Sequence, residues 1–139
     1  MRQVTKQENL ESSVKGAIGE YIVIGEFLKL GFDVYLPVVD QGIDCIIRTD
    51  NGKFFEIQIK TRHTDKKAGK YWFEVRPNFF IVLYQAKLYP NDFWVIPSAV
   101  FKQHCRPKKE VCVLQLNPKR QRELRKYKNN FQQFISGNP

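Results

Sequence analysis

GIDCIIRTDNGKFFEIQIK, residues 42–60, is the stretch that decides the fold. Two runs rich in β-branched and aromatic residues, 43–48 and 53–61, flank Asp50-Asn51-Gly52, a strong short-range signal for a β-hairpin. Three polar residues interrupt these otherwise apolar strands: Asp44 in the first, Gln58 and Lys60 in the second. Burying a carboxylate, an amide and an ammonium is unfavourable unless they are paired, hydrogen-bonded or bound to a metal.

Register decides whether the three meet. A two-residue Asn51-Gly52 turn pairs Asp50 with Lys53 and sets Asp44 opposite Ile59, on the face of Phe55 and Ile57, where no site forms. A three-residue loop with Gly52 in the left-handed conformation pairs Thr49 with Lys53, Ile46 with Glu56 and Asp44 with Gln58. Lys60 then shares the face of Gln58, because side chains alternate with period two. The opposite face becomes an unbroken apolar surface of Cys45, Ile47, Phe55, Ile57 and Ile59. A single buried face fixes register, so the three-residue loop is expected.

Outward from the hairpin, residues 13–30 place Ala17, Ile18, Tyr21, Ile24 and Leu28 at helical spacing and stop at Gly31. Glu20 falls between Phe27 and Ile24 inside the apolar arc, whereas Glu26 falls on the polar side. Gly16 and Gly19 would let this helix lie close to the sheet with the Glu20 carboxylate reaching the hairpin. A glutamate snorkelling from the rim is the alternative. Further strands are expected at 32–36, 71–76, 79–85 and 93–96, with Trp72, Phe73, Phe79, Phe80 and Trp94 mostly in the core. Residues 63–70 read as a polar loop. A short helix starts at Pro97-Ser98 and runs to about 103, and 111–116 reads as an edge or near-edge strand. Asn117 as N-cap and Pro118 at the first helical position open a basic helix over about 119–134, docked by Tyr127, Phe131 and Phe134. Residues 1–139 are expected to form one α/β domain, a central mixed sheet flanked by helices.

With 42% hydrophobic and 14% aromatic residues the chain is not of disordered type. No apolar run is long enough to span a membrane, and MRQVTKQENLESS is too polar for a signal peptide. The three cysteines form no CxxC pair, so neither a disulfide framework nor a structural zinc site is expected, and a cytoplasmic, reducing setting is the simplest reading. His63 and His104 have no partner at metal-binding spacing. Residues 1–101 hold 13 Lys+Arg against 12 Asp+Glu, while 102–139 hold 10 against 2, so nearly all of the net charge of +9 lies at the end of the chain. That segment suits a polyanion such as DNA or RNA, with Lys119, Arg120, Arg122, Lys126 and Lys128, together with Arg62 near the hairpin, as candidate phosphate contacts. A solvated, solubilising helix is the alternative.

If the polar residues converge, Asp44, the Gln58 amide oxygen and a backbone carbonyl near Ile59 offer hard ligands for Mg²⁺, or Mn²⁺ as a substitute, with Glu20 binding directly or through water. Glu56 either extends the set or pairs with Arg48. A metal there lowers the pKa of a bound water and stabilises charge on a phosphoryl oxygen. Lys60 positions that water or offsets the same charge. The alternative is a solvated sheet end carrying an Asp44–Lys60 salt bridge.

With GAIGE (Glu20), GID (Asp44) and EIQIK (Gln58, Lys60) in this order, the chain resembles the PD-(D/E)xK nuclease superfamily, of restriction-endonuclease-like fold. The likeness spans about residues 13–100 and is nearest to Mrr-like and small uncharacterised bacterial branches with QxK in place of (D/E)xK; DFWVIPSAVF also looks like the strand and turn after the core. The resemblance implies a Mg²⁺-dependent endonuclease acting on nucleic acid, DNA foremost, with Glu20, Asp44, Gln58 and Lys60 as catalytic residues. Two departures matter: Gln58 removes one negative ligand and shifts weight onto Glu20 and Glu56, and Pro37 is too far from Asp44 to form a PD pair. The other reading is a module that keeps this fold without catalysis and binds nucleic acid or a protein partner. A homodimer would let so short a chain engage both strands of a duplex.

Overall fold

The computed structural model describes residues 11–39, 41–62, 69–71, 74–86, 92–108 and 111–135. At the hairpin, Gly52 adopts φ +82°, its N–H donates to Thr49 O at 2.9 Å, and Thr49 N–H donates to Lys53 O at 2.9 Å. A positive φ at this place is cheap only without a Cβ. Thr49 Oγ1 also bonds Asn51 Oδ1 within the loop. The three-residue loop is therefore the one that forms. Strands β2 (Cys45–Arg48) and β3 (Phe54–Arg62) pair antiparallel with Cys45 opposite Ile57, Ile46 opposite Glu56 and Ile47 opposite Phe55.

Around this hairpin stand β1 (Asp33–Tyr35), β5 (Phe79–Gln85) and β6 (Asp92–Pro97), while β4 (Gly69–Tyr71) belongs to a second sheet. The main sheet has the order β1-β2-β3-β5-β6; the β3–β5 pair is parallel and the rest antiparallel, so the sheet is mixed. All seven residues of β5 are buried. A strand covered on both faces reads as a continuous apolar run, as FFIVLY does.

Helix α1 (Ser12–Lys29) covers one face, setting Val23 and Phe27 against Cys45, Ile47, Phe55 and Ile57. It ends where Gly31 turns to φ +87°. The other face is covered by α2 (Ser98–His104), β7 (Arg106–Lys108), β8 (Val111–Leu114) and α3 (Pro118–Glu123), whose Phe101, Leu114 and Leu124 pack on Ile81, Leu83, Trp94 and Ile96. The result is an α/β fold with a central mixed sheet flanked by helices. Among the described residues no helix is long and apolar enough to cross a membrane.

Four expectations are corrected. The strand expected at 111–116 is shorter, Val111–Leu114, and of the two placements expected it takes the near-edge one, β8 being the middle of a three-stranded antiparallel sheet ordered β4-β8-β7. Of the strand expected at 71–76, Tyr71 belongs to β4, which also takes residues 69–70 from the expected polar loop, and 74–76 carries no strand; Asp40, His63, Trp72 and Phe73 lie outside the described residues. Cys105 and Cys112 form a disulfide, because the β7–β8 hairpin brings two positions seven apart to a Cα separation of 5.6 Å. This removes the cysteine-based argument for a reducing setting, while Cys45 is free and buried.

The fourth correction concerns the basic helix. Asn117 caps it as expected, accepting from Arg120 N–H at 2.8 Å with Pro118 at its start, but α3 ends at Glu123. Two 3₁₀ turns follow, Arg125–Tyr127 and Phe131–Phe134. Between them Asn129 turns to φ +54°, accepts from Phe93 N–H through its Oδ1 at 2.7 Å and donates its own N–H to Phe93 O. Asparagine tolerates this left-handed conformation better than most residues, and the free side of β6 supplies the bonds that a helix would have made. Phe131 and Phe134 still dock on the α1 face as anchors.

Candidate functional site

Past Cys45 the paired strands part, and Asp44 sits in the fork. Its N–H donates to Ile57 O at 2.8 Å, and its Oδ2 accepts from Ile59 N–H at 2.6 Å. The carboxylate thus replaces the carbonyl that a longer β2 would have offered to β3, and is held in one orientation. Position 44 falls beside Gln58 in the established register. Gln58 projects to the face opposite Ile57 and Ile59 and is buried, yet its Oε1 has no hydrogen-bond partner among the described residues. An orphaned buried acceptor costs about 1–3 kcal/mol, so it points to an absent partner such as a cation or water. Gly42, at φ +83°, leaves space there: a Cβ on it would stand 3.9 Å from Gln58 Nε2.

Glu20 arrives from the other side of the sheet. At Gly19 the helix backbone lies so close to β3 that an added Cβ would be 2.7 Å from Thr61 Cβ and Cγ2 and nearer still to Oγ1. Thr61 Oγ1 fills the room that a side chain at 19 would need, and is itself buried without a hydrogen-bond partner among the described residues. Gly16 makes no such approach, with nothing within 4 Å of an added Cβ. The next residue after Gly19 is Glu20, half-buried, and with Asp44 it lines a cavity of about 300 Å³ between α1 and the loop leading into β2. The Cys45 thiol registers both carboxylates: burial first, then the charges of Asp44 and Glu20, push its pKa up to about 12. Cys45 therefore stays protonated at neutral pH and is no nucleophile.

Lys60 is half-buried, two positions from Gln58 on the same side of β3. Glu56 lies one step down the hairpin, opposite Ile46, and its Oε2 is taken by Arg76 Nη2 at 2.6 Å, with that guanidinium stacked 4.6 Å from the Phe79 ring. Arg48 pairs with Asp33 at 3.6 Å, so the Glu56–Arg48 pair does not form. Arg62 is buried and donates to Leu114 O at 3.1 Å, tying β3 to the second sheet; its guanidinium is not on the surface to meet a phosphate. Lys119, Arg122 and Lys126 are exposed, Arg120 is paired with Glu123 at 2.8 Å, and Lys128 with Asp92 at 3.3 Å. His104 lies 3.9 Å from Glu123 through Nε2.

Thr61 is the site neighbour that sequence reasoning missed. Its signal was present: it is the polar member of the apolar row Phe55, Ile57, Ile59, on the face that meets the helix. Among the described residues no three His, Cys, Asp or Glu side chains converge as a metal cluster. Among the described residues, the oxygen-bearing side chains in and around the fork include two carboxylates, Asp44 and Glu20, and the orphaned amide of Gln58. Hard oxygens of this kind suit Mg²⁺, which keeps several waters and takes few protein ligands.

Three comparisons bear on this arrangement. The sequence profile of the family described as PD-(D/E)XK endonuclease matches residues 10–79, the segment that holds Glu20, Asp44, Gln58 and Lys60. Protein 5.3 of Escherichia phage T7 is 35% identical over 54 residues, 39% of this chain and 46% of that protein, so the match spans less than half of this relative. The structure of the bacterial homing endonuclease I-Ssp6803I shares the fold with a TM-score of 0.64 at 21% identity, over 92% of this chain and 96% of that one. Half of the sequence thus matches the family profile, on the helix and hairpin that build the fork. The chain belongs to the PD-(D/E)XK endonuclease family.

Proposed function

We propose that this protein is a divalent-metal-dependent nuclease that hydrolyses phosphodiester bonds in DNA, with its site at the β2–β3 fork. The observation that carries the reading is Gln58 Oε1, a buried acceptor left without a partner beside a carboxylate pinned by Ile59 N–H. Asp44, Gln58 and Glu20 would hold Mg²⁺, which when bound supplies a Lewis acid and a water of lowered pKa. Asp44 needs no rearrangement to serve, because its orientation is already set by β3. Lys60 brings a positive charge to the phosphoryl oxygen that gains negative charge in the transition state and orients the attacking water. Exposed Lys119, Arg122 and Lys126 draw the phosphate backbone, with a strong salt dependence. Glu56, already neutralised by Arg76, has no part in this scheme. The fold neighbour's description as a homing endonuclease supports DNA as the substrate.

Asp44→Ala and Lys60→Ala should each lower cleavage of plasmid DNA in Mg²⁺ or Mn²⁺ by about 100-fold or more while the circular dichroism spectrum is kept. A second reading, a nucleic-acid-binding module without catalysis, draws on Gln58 standing where an acidic ligand would add negative charge to the fork. It replaces the first if the purified protein cleaves no duplex, branched or single-stranded substrate in either metal, yet binds DNA equally well with and without Asp44→Ala.

A further inference from the structure

We infer that Arg76 is a DNA-contact residue, holding a backbone phosphate that flanks the one to be cut, with Glu56 setting its guanidinium in place. The inference rests on the nuclease reading and adds to it a substrate contact outside the fork. Side chains 56, 58 and 60 of β3 point to one face, so Glu56 stands one strand repeat, about 7 Å, from Gln58. Phe79 of β5 is the register partner of Glu56, and Arg76 joins the two. Its Nη2 reaches Glu56 Oε2 at 2.6 Å, and its guanidinium lies 4.6 Å from the centre of the Phe79 ring. The cation therefore sits on the face of Gln58 and Lys60, with Gln58 between it and Lys60. One DNA strand places successive phosphates at a comparable spacing.

The way Arg76 is held sets it apart from an ordinary surface arginine. A partly exposed Glu–Arg pair contributes little to stability, yet this guanidinium is fixed from three sides. Ser98 Oγ, itself buried, donates to Arg76 O at 2.9 Å and accepts from Arg76 N–H at 3.2 Å, which sets the backbone. The buried Phe79 ring sets the plane of the guanidinium, and Glu56 sets its rotation. An arginine that served only to neutralise Glu56 would take the carboxylate with Nε and Nη2 together, the bidentate geometry this pair favours. Here Nη2 engages Glu56, while Nε is buried with no hydrogen-bond partner among the described residues. Glu56 thus orients the guanidinium without using up its five donors. The Arg76 side chain is 37% exposed, so a ligand can reach it. A planar, preorganised cation on the site face fits a phosphate. A protein seated over Arg76 would also cover the fork one strand repeat away and keep the substrate out, so the substrate itself is the occupant.

The test is binding of the full chain to a fluorescein-labelled DNA duplex in Ca²⁺, followed by anisotropy over a series of KCl concentrations, with cleavage measured separately in Mg²⁺. Arg76→Ala should weaken binding about tenfold and flatten the slope of log K against log salt by about 0.9, the signature of one lost phosphate contact. Arg76→Lys keeps the charge and loses the planar fork, so it should keep the slope and bind with intermediate affinity. Glu56→Gln leaves an acceptor for Nη2 and removes the competing charge, so it should tighten binding about two- to fivefold. Lys29→Ala, on the helix that covers the opposite face, should leave the slope as it is. A slope unchanged in Arg76→Ala, or flattened as much by Lys29→Ala, overturns the proposal. Glu56→Gln weakening binding as Arg76→Ala does is the mark of a structural pair and overturns it too, and this sign can be read even where Arg76→Ala does not fold. The two readings fail separately. Cleavage by a parent whose salt slope Arg76→Ala leaves unchanged removes the contact and keeps the nuclease. The expected slopes without any cleavage remove the nuclease and keep the contact.

Discussion

The two faces of the central sheet are closed in different ways. On one, a single 18-residue helix lies over a cluster of aromatic rings, in which Phe27 meets Phe32, Phe131 and Phe134 at centroid distances of 5.4–6.1 Å. On the other, the cover is assembled from short pieces: helices of seven and six residues and a three-stranded sheet. These pieces are tied by the Cys105–Cys112 disulfide, by Arg62 on Leu114 O, and by Ser98 Oγ, which donates to Arg76 O and accepts from Arg76 N–H. Glu20 rides on the continuous helix; the exposed basic residues ride on the segmented cover. In the proposed function Glu20 would be a metal ligand, to be held within a fraction of an ångström, which packed helix and sheet can do, whereas the phosphate attraction proposed for the basic residues tolerates looser placement.

The largest effect should come from the aromatic face. Phe27→Ala removes the ring that joins α1 to the sheet, and loss of a buried phenylalanine costs about 3–5 kcal/mol, read from urea unfolding. Reducing the disulfide tests the other face. Its bridge closes a short loop, so reduction should lower stability by about 2–3 kcal/mol. Cleavage in reductant, measured below the melting temperature, should be unchanged. Loss of cleavage under those conditions would mean that the segmented cover also sets the geometry of the fork.

Gly19→Ala comes next. Overpacking against Thr61 should cost about 1–3 kcal/mol, and it pushes the helix off β3 at the residue before Glu20. Cleavage should therefore fall far more than the shift in stability explains. Adding Thr61→Gly clears the space from the other side and should restore part of both. A double variant no better than Gly19→Ala alone would show that the close approach does not position Glu20.

How much of this could be read from the chain follows the range of the forces involved. The hairpin was readable because Asp50-Asn51-Gly52 and the alternation of β2 and β3 act within a few residues. Glu20 was readable as a break in its own helical arc. The interrupted basic helix was not, since the partner of Asn129 is Phe93, 36 residues away. The disulfide was hidden because β7 carries Pro107, a residue tolerated at an edge strand but no signal for one. Arg62 beside Lys60 looks like a surface cation until the second sheet covers it. Local chemistry thus announced the aromatic face and the fork, while long-range pairing built the segmented face.

Cys45 allows a smaller and finer test of the first face. Its thiol is buried beneath α1, and burial, then Asp44 and Glu20, raise its pKa from 9.0 to about 12. Below pH 9 the thiol is protonated whether the chain is folded or not, so this group contributes its full stability there. As pH climbs past 9 the unfolded chain releases the proton and the folded one keeps it, so stability falls by about 1.4 kcal/mol per pH unit until pH approaches 12. Cys45→Ala lacks this proton, and Tyr84, also raised, titrates alike in both proteins and cancels in the difference. The stability advantage of the parent over Cys45→Ala should shrink by about 1–2 kcal/mol between pH 8.5 and 10, measured by urea unfolding. Because burial outranks the two charges, Asp44→Asn should leave most of that slope in place. A slope that vanishes in Asp44→Asn would show that the carboxylates in the fork, not the aromatic face above them, keep the thiol protonated.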